Sequence, residues 1–137
     1  MNSEKCLNIG LLILRVGIGI KFLVHGYPKL MGGPEMWEGL GGTMAIFGIT
    51  FAPVFWGFMA AVSEFFGAIL LILGILLRPA AILLFLTMVV ATTMHIVQGD
   101  GWGAYSHAGG MAVVFLSLFF TGAGKYSLAS KLGSKLS

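Results

Sequence analysis

Residues 7–30 read LNIGLLILRVGIGIKFLVHGYPKL. The run is long enough to cross a bilayer, which takes about 20 predominantly apolar residues, yet it carries Arg15, Lys21, His25 and Lys29. Inside hydrocarbon an ionisable side chain costs several kcal/mol unless it meets a partner, a cavity or water. At about 100° per residue the four fall within roughly one third of the helix circumference. Lys21, His25 and Lys29 also follow one another at the four-residue spacing that stacks side chains. Leu12, Ile13, Ile20, Leu23 and Val24 supply much of the apolar remainder. The stretch reads as a membrane span whose polar stripe faces the interior of a bundle.

Three further apolar runs follow, at about 52–77, 79–97 and 104–120. The second stops at Arg78-Pro79, because proline disfavours helical geometry in the residue before it; Pro79 then suits the first turn of the next helix. Gln98 to Gly103 forms a turn. The expected fold is all-α, a transmembrane four-helix bundle in a single domain over 1–137. Between the first two spans, Trp37, Leu40, Met44 and Phe47 recur at helical spacing among glycines. They predict a short amphipathic segment, lying on the outer face or dipping back as a lid. The thin Glu4-Lys5 start and the interruptions at Arg15 and Lys21 do not read as a cleaved signal peptide.

With 58% hydrophobic and 9% charged residues, the chain is far from the roughly 25% charge of a soluble domain. Eight basic against five acidic residues give a net charge of +3, but the excess does not line a face that could follow a phosphate backbone, which argues against nucleic acid. Cys6, the one cysteine, cannot form an internal disulfide. If the chain crosses four times, Lys5, Arg78, Lys125, Lys131 and Lys135 share one side. The other side carries Glu35, Glu38 and Asp100, with Lys29 nearby. The positive-inside rule then places both termini in the cytoplasm, with Trp37, Trp56, Trp102 and Tyr105 near the outer edges.

Glu64 is the one acidic residue in any span. At about 1.5 Å per residue, Arg15 lies roughly 12 Å into its span and Glu64 roughly 18 Å into an antiparallel neighbour. In a core about 30 Å thick those depths nearly coincide, which predicts an Arg15–Glu64 pair with Lys21 as the competing partner. Such a pair either holds two helices together or takes part in a ligand or proton site. His25, His95 and His107 fall in the outer halves of their helices. Together with Trp102 and Tyr105 they outline an outward-facing pocket with Glu64 at its floor. Imidazoles and a carboxylate suit zinc, iron or copper, so His25, His95, His107 and Glu64 are the candidate metal ligands, and haem between His25 and His95 or His107 is a further option. No HExxH and no paired cysteine ligands support a metal. A quinone or small aromatic ligand matches better: it arrives through the bilayer and needs donors and a titrating group beside an apolar slot.

Leu14-Arg15-Val16-Gly17-Ile18-Gly19 and Phe22-Leu23-Val24-His25-Gly26-Tyr27-Pro28-Lys29-Leu30 resemble the first-helix signature of the DoxX family. Ser63-Glu64-Phe65-Phe66-Gly67, continued by Leu73 to Ala80, is similar to its glutamate-containing segment. Gly122-Ala123-Gly124-Lys125-Tyr126-Ser127-Leu128 resembles its terminal motif, although Ala129 stands where aspartate commonly follows. The resemblance spans about Leu11 to Leu128. It implies a small four-span protein of the bacterial inner membrane, with links in the family to thiosulfate:quinone oxidoreduction, oxidative stress and aromatic compounds. It also implies that Arg15, His25, Gly26, Lys29, Glu64 and Gly67 are key positions.

The expectation is a redox-associated membrane protein that binds a quinone. Glu64 and His25 would bind or relay protons, and Arg15, Lys21, Lys29, His95, His107, Trp102 and Tyr105 would surround the ligand. Gly17, Gly26 and Gly67 would serve helix packing. Electrons would come from a partner protein or a second substrate, and glycine-rich faces suit a homodimer among membrane lipids. The alternative is a non-enzymatic membrane adaptor or a subunit of a stress-response complex.

The orientation is testable in spheroplasts with a membrane-impermeant maleimide. A cysteine introduced as Asp100→Cys in a Cys6→Ser background should label from outside, and native Cys6 only after the membrane is opened. The opposite pattern would invert the topology.

Overall fold

The computed structural model describes residues 2–133; Lys135, counted above in the charge bias, lies outside them. The first helix, α1, runs Ser3–Met31, with Asn2 as its N-cap accepting the Lys5 backbone N–H at 2.9 Å. A side chain doing this satisfies one of the N–H groups that a helix start leaves orphaned. The glycine-rich stretch beyond is helical: α2 spans Gly33–Gly41, with Pro34 in its first turn, and a 3-10 turn continues over Gly42–Phe47 until Gly48 adopts φ +77°. Then follow α3 (Pro53–Leu73), α4 (Leu77–Gln98), α5 (Trp102–Thr121) and a short α6 (Leu128–Leu132).

Four of these helices, α1, α3, α4 and α5, are long and apolar enough to cross a membrane. Ile13, Val24, Phe66, Leu86, Val113 and Phe120 are exposed along them. Apolar side chains pointing outward on every long helix require hydrocarbon as the surrounding solvent.

The second span ends earlier than its hydrophobicity suggests, and the third begins earlier. Gly74 (φ +67°) closes α3: its N–H reaches the Leu71 carbonyl and the Ile75 N–H reaches that of Leu70, the paired bonds of a Schellman cap. Arg78, expected outside a helix because it precedes proline, is inside α4. Pro79 falls in the first turn, where no backbone N–H is needed, and the glycine cap three residues upstream of Leu77 rather than the proline decides the boundary.

Packing around the bundle follows small residues, which allow close approach where no hydrophobic effect drives association. The α1–α3 contact forms at Gly19 and Gly26. A Cβ at Gly19 would sit 3.0 Å from the Ala68 carbonyl, and one at Gly26 only 2.7 Å from the Phe65 nitrogen. Gly67 of α3 faces Leu84 of α4, and Gly109 of α5 faces Thr92 of α4. Phe22 and Phe115 bring α1 to α5, their rings edge-on with centroids 4.9 Å apart. Around that pair the core collects Leu11, Leu71, Leu77, Leu84, Met88 and Leu118. Gly17, expected to thin α1 for packing, faces outward with nothing within 4 Å of its Cβ position; it lies on the other side of the helix from Gly19 and Gly26.

At the end of the bundle where α1 finishes, α2 lies across the start of α3. Gly41 approaches the Pro53 carbonyl and Gly57 the Trp37 carbonyl so closely that neither has room for a Cβ. Trp37 stacks edge-on against Phe58 and donates its indole N–H to the Lys29 carbonyl at 2.9 Å. Its ring is therefore tied to the fold as well as lying near a helix end.

Gly26→Ala should push α1 off α3 and lower stability by about 1–3 kcal/mol, the usual cost of overpacking. Gly17→Ala should be neutral or gain up to about 1 kcal/mol from helix propensity. Unfolding of the two variants in detergent, followed by circular dichroism, checks the contrast; equal effects would contradict the packing.

Candidate functional site

The charged groups within the bundle separate into three sites. In the first, Glu64 of α3 is 3% exposed and Lys29 of α1 is 33% exposed, and the Lys29 ammonium lies 2.8 Å from each carboxylate oxygen. Gly26 explains the reach. It seats the α1 backbone against Phe65, so the side chain three residues further on meets Glu64 directly. Both carboxylate oxygens thereby accept from the same ammonium.

Arg15 is the correction. It was expected to pair with Glu64 but lies beside the opposite end of α3, 1% exposed. It donates to the carbonyls of Leu71 at 3.2 Å, Ile72 at 2.7 Å and Tyr126. Leu71 and Ile72 are about two turns below Glu64, roughly 12 Å at about 1.5 Å per residue. The depth estimate failed because it started both spans at their first apolar residue. In the structure α1 begins at Ser3 and α3 extends past the end of α1 beneath α2, so the register is shifted. Arg15 caps a helix: it donates to the Ile72 carbonyl, shares that of Leu71 with the Gly74 N–H, and sits at the negative end of the helix dipole. Lys21, the competing partner, does not reach Glu64 either.

The third site lies between α1 and α5. Lys21 Nζ is 3.5 Å from His107 Nδ1. His25, one turn beyond Lys21 on the same stripe, packs toward Phe22 with centroids 6.4 Å apart. His107 and His25 are exposed and Lys21 is half-buried, so the cluster opens to the outside of the bundle. The ion pairs among the described residues are Lys29–Glu64 and His95–Asp100, and Lys21 has no carboxylate.

His95 does not join His25 and His107. The turn after α4 folds Asp100 back, its N–H on the His95 carbonyl, and the Asp100 carboxylate meets His95 Nδ1 at 2.7 Å. A histidine followed five residues later by aspartate across Gly99 was the signal in the sequence for this pair. Trp102 and Tyr105 stack edge-on at the start of α5, Trp102 73% exposed. Among the described residues no three His, Cys, Asp or Glu side chains come together as a metal site would need, so His25, His95, His107 and Glu64 do not assemble as a ligand set. Surface concavities among the described residues include two away from Glu64. One, at the termini, is bounded by Asn2, Glu4, Lys5, Asn8, Lys125 and Tyr126; the other is an open apolar groove along Trp37, Ala52, Val54, Phe55 and Phe58. Neither has the expected floor at Glu64.

Residues 10–96, from early in α1 to near the end of α4, match the DoxX family model. The chain belongs to the DoxX family. It is 35% identical to the inner membrane protein YphA of Escherichia coli (strain K12), over 93% of this chain and 98% of that one. An uncharacterized protein of Haemophilus influenzae (strain ATCC 51907 / DSM 11121 / KW20 / Rd) is 31% identical over 98% of both chains. The CatD protein of Bacillus subtilis (strain 168), whose name provisionally calls it an oxidoreductase, is 36% identical over 64% of this chain and 60% of its own length. No solved structure matches. The protein is thus a multi-pass protein of the bacterial inner membrane. The DoxX match includes Arg15, Lys21, His25, Lys29, Glu64 and His95, whereas Trp102, Tyr105 and His107 on α5 lie beyond it.

The Lys29–Glu64 pair has a measurable signature. Lys29→Met strands a carboxylate and should destabilise the protein near the lower end of the about 3–5 kcal/mol typical of a broken buried pair, since Lys29 is partly exposed. Adding Glu64→Leu should recover much of the loss. A double variant no more stable than Lys29→Met, in a denaturant unfolding series, would mean the two do not act as a pair.

Proposed function

We propose that this DoxX-family protein is redox-associated and binds a quinone or small aromatic molecule at the α1–α5 seam. The observation that carries the reading is the cluster of Lys21, His107 and His25, which lacks a carboxylate among the described residues and opens outward from a membrane bundle. An ammonium in hydrocarbon needs an acceptor. The oxygen of a quinone or phenol supplies one, with the ring lying along the apolar helix surface. In this reading Lys21 donates to that oxygen and His107 exchanges its proton. His25 flanks the ring from α1, beside the Phe22–Phe115 pair, and Trp102 and Tyr105 stand nearer the start of α5 where a ligand would enter.

Glu64 then has a different part from the one its isolation suggests. Held by Lys29, it fixes α1 against α3 and so sets where Lys21 and His25 project; it is a positioning residue. The name of the CatD relative points in the same direction. Electrons would come from a partner protein. With the termini in the cytoplasm, the seam opens in the outer half of the membrane.

Binding of a short-chain benzoquinone to the purified protein, read by tryptophan fluorescence quenching, tests the proposal. Each charge-assisted hydrogen bond contributes about 1.5–3 kcal/mol. Lys21→Ala and His107→Ala should therefore each weaken binding by about tenfold or more, while Arg78→Gln leaves it unchanged. Undiminished binding in the Lys21→Ala/His107→Ala double variant would refute the site. A folded protein with no quinone affinity would favour the adaptor.

A further inference from the structure

A second site lies at the opposite end of α1 and owes nothing to the quinone reading. The concavity there, about 360 Å³, is walled by Asn2, Glu4, Lys5 and Asn8 of the α1 start and by Lys125 and Tyr126 of the segment after α5. Its walls are fixed. Asn8 Oδ1 accepts the Lys125 backbone N–H at 2.6 Å, Asn8 Nδ2 donates to the Glu4 carbonyl at 2.8 Å, and the Tyr126 carbonyl accepts from buried Arg15. The two strands of chain that form it are thereby locked to each other and to the bundle.

Its chemistry is specific. Lys5 and Lys125 belong to neither ion pair found among the described residues. With Glu4 they give the pocket a net charge of one positive unit. Its level is equally telling. Leu7, one turn into α1 from Glu4, is 60% exposed and faces lipid, so the pocket sits where the helix leaves hydrocarbon and enters the headgroup layer. Basic pockets at that level are where lipid headgroups bind.

We infer that this pocket holds the phosphodiester of an anionic glycerophospholipid with a hydroxylated headgroup, phosphatidylglycerol being the simplest. Lys5 and Lys125 take the phosphate, whose single negative charge matches the net charge of the pocket. Glu4 and the two asparagine side chains accept from the headgroup hydroxyls, and the acyl chains run down past Leu7. A bound lipid of this kind bridges α1 to the segment carrying Tyr126, the same two elements that Arg15 joins from inside.

The test is native mass spectrometry of the delipidated full-length protein in detergent, titrated with dioleoyl phosphatidylglycerol, dioleoyl phosphatidylethanolamine, dioleoylglycerol or inorganic phosphate. One phosphatidylglycerol should bind preferentially. Lys5→Ala/Lys125→Ala should weaken it by about tenfold or more, as loss of two basic contacts at the membrane surface predicts. Lys5→Arg/Lys125→Arg should restore it, and Lys131→Ala should bind as the unaltered protein does. Equal binding by the alanine pair, equal binding of dioleoylglycerol, or failure of the arginine pair to rescue would overturn the site. Displacement of the lipid by inorganic phosphate at the same concentration would assign the pocket to free phosphate and overturn the lipid reading.

Discussion

Arg15 gives its protons to the carbonyls of Leu71 and Ile72 in the last turn of α3 and to the carbonyl of Tyr126. An unsatisfied backbone group in hydrocarbon costs several kcal/mol; the guanidinium supplies a partner to the Ile72 carbonyl and ties three elements together. The fit demands a glycine: a Cβ at Gly74 would lie 2.6 Å from the guanidinium and 2.6 Å from Ser127. Gly74 also supplies the left-handed turn that ends α3. The Ala129 N–H bonds to the Gly74 carbonyl at 3.3 Å, which draws the start of α6 under the same helix end. The bundle is closed at this end by a charge whose two terminal nitrogens meet only backbone carbonyls, while its buried Nε has no partner among the described residues.

From that closure the rest of the register follows. With Arg15 beside Ile72, an antiparallel α1 brings Gly19 to Ala68 and Gly26 to Phe65, and Lys29 arrives at Glu64. The chain after α5 is held in turn by Asn8, through Lys125, and by Arg15, through Tyr126. Gly122 and Gly124, at φ +73° and +74°, give this segment the sharp bends it needs to reach both. The terminal motif that looked like a signature in the sequence is physically the lid on the helix ends. Ala129, where the family pattern favours aspartate, is fully buried there, a place that would leave a carboxylate unsolvated.

Much of this was legible beforehand because the membrane restricts what a sequence can do. Four apolar runs admit one class of fold, and of the stripe expected to face the bundle interior Arg15 and Lys29 turn to α3, whereas His25 is exposed and Lys21 half-buried at the outer surface. The partners were harder. Pairing Arg15 with Glu64 assumed that opposite charges at similar depth must meet, and ignored the carbonyls at a helix end, which also attract a guanidinium. Gly26 carried the missing information: a glycine on the polar stripe marks the place of closest approach, and the lysine one turn further reaches the neighbouring helix there. The histidines were grouped by depth alone, whereas the local turn at Gly99 gave His95 a partner of its own. The helix over Gly33–Gly41 was obscured by its glycines, of which Gly41 has no room for a Cβ beside the Pro53 carbonyl and so reflects packing across to α3 rather than local preference.

Counting charges along α1 then isolates the residue whose role is still open. The stripe brings three permanent cations into the bundle against the single carboxylate of Glu64. Arg15 is held by carbonyls and a helix dipole, and Lys29 takes both oxygens of Glu64. Lys21 remains, with only the ring nitrogen of His107 beside it, and a second cation there would repel rather than stabilise it. A structural cation would be expected to have its acceptors built in, carbonyls for Arg15 and a carboxylate for Lys29. The half-buried position of Lys21 at a seam that opens to lipid places it where an incoming acceptor oxygen can reach it, and this asymmetry among three lysine and arginine side chains on one helix is the strongest physical reason to look for a ligand between α1 and α5.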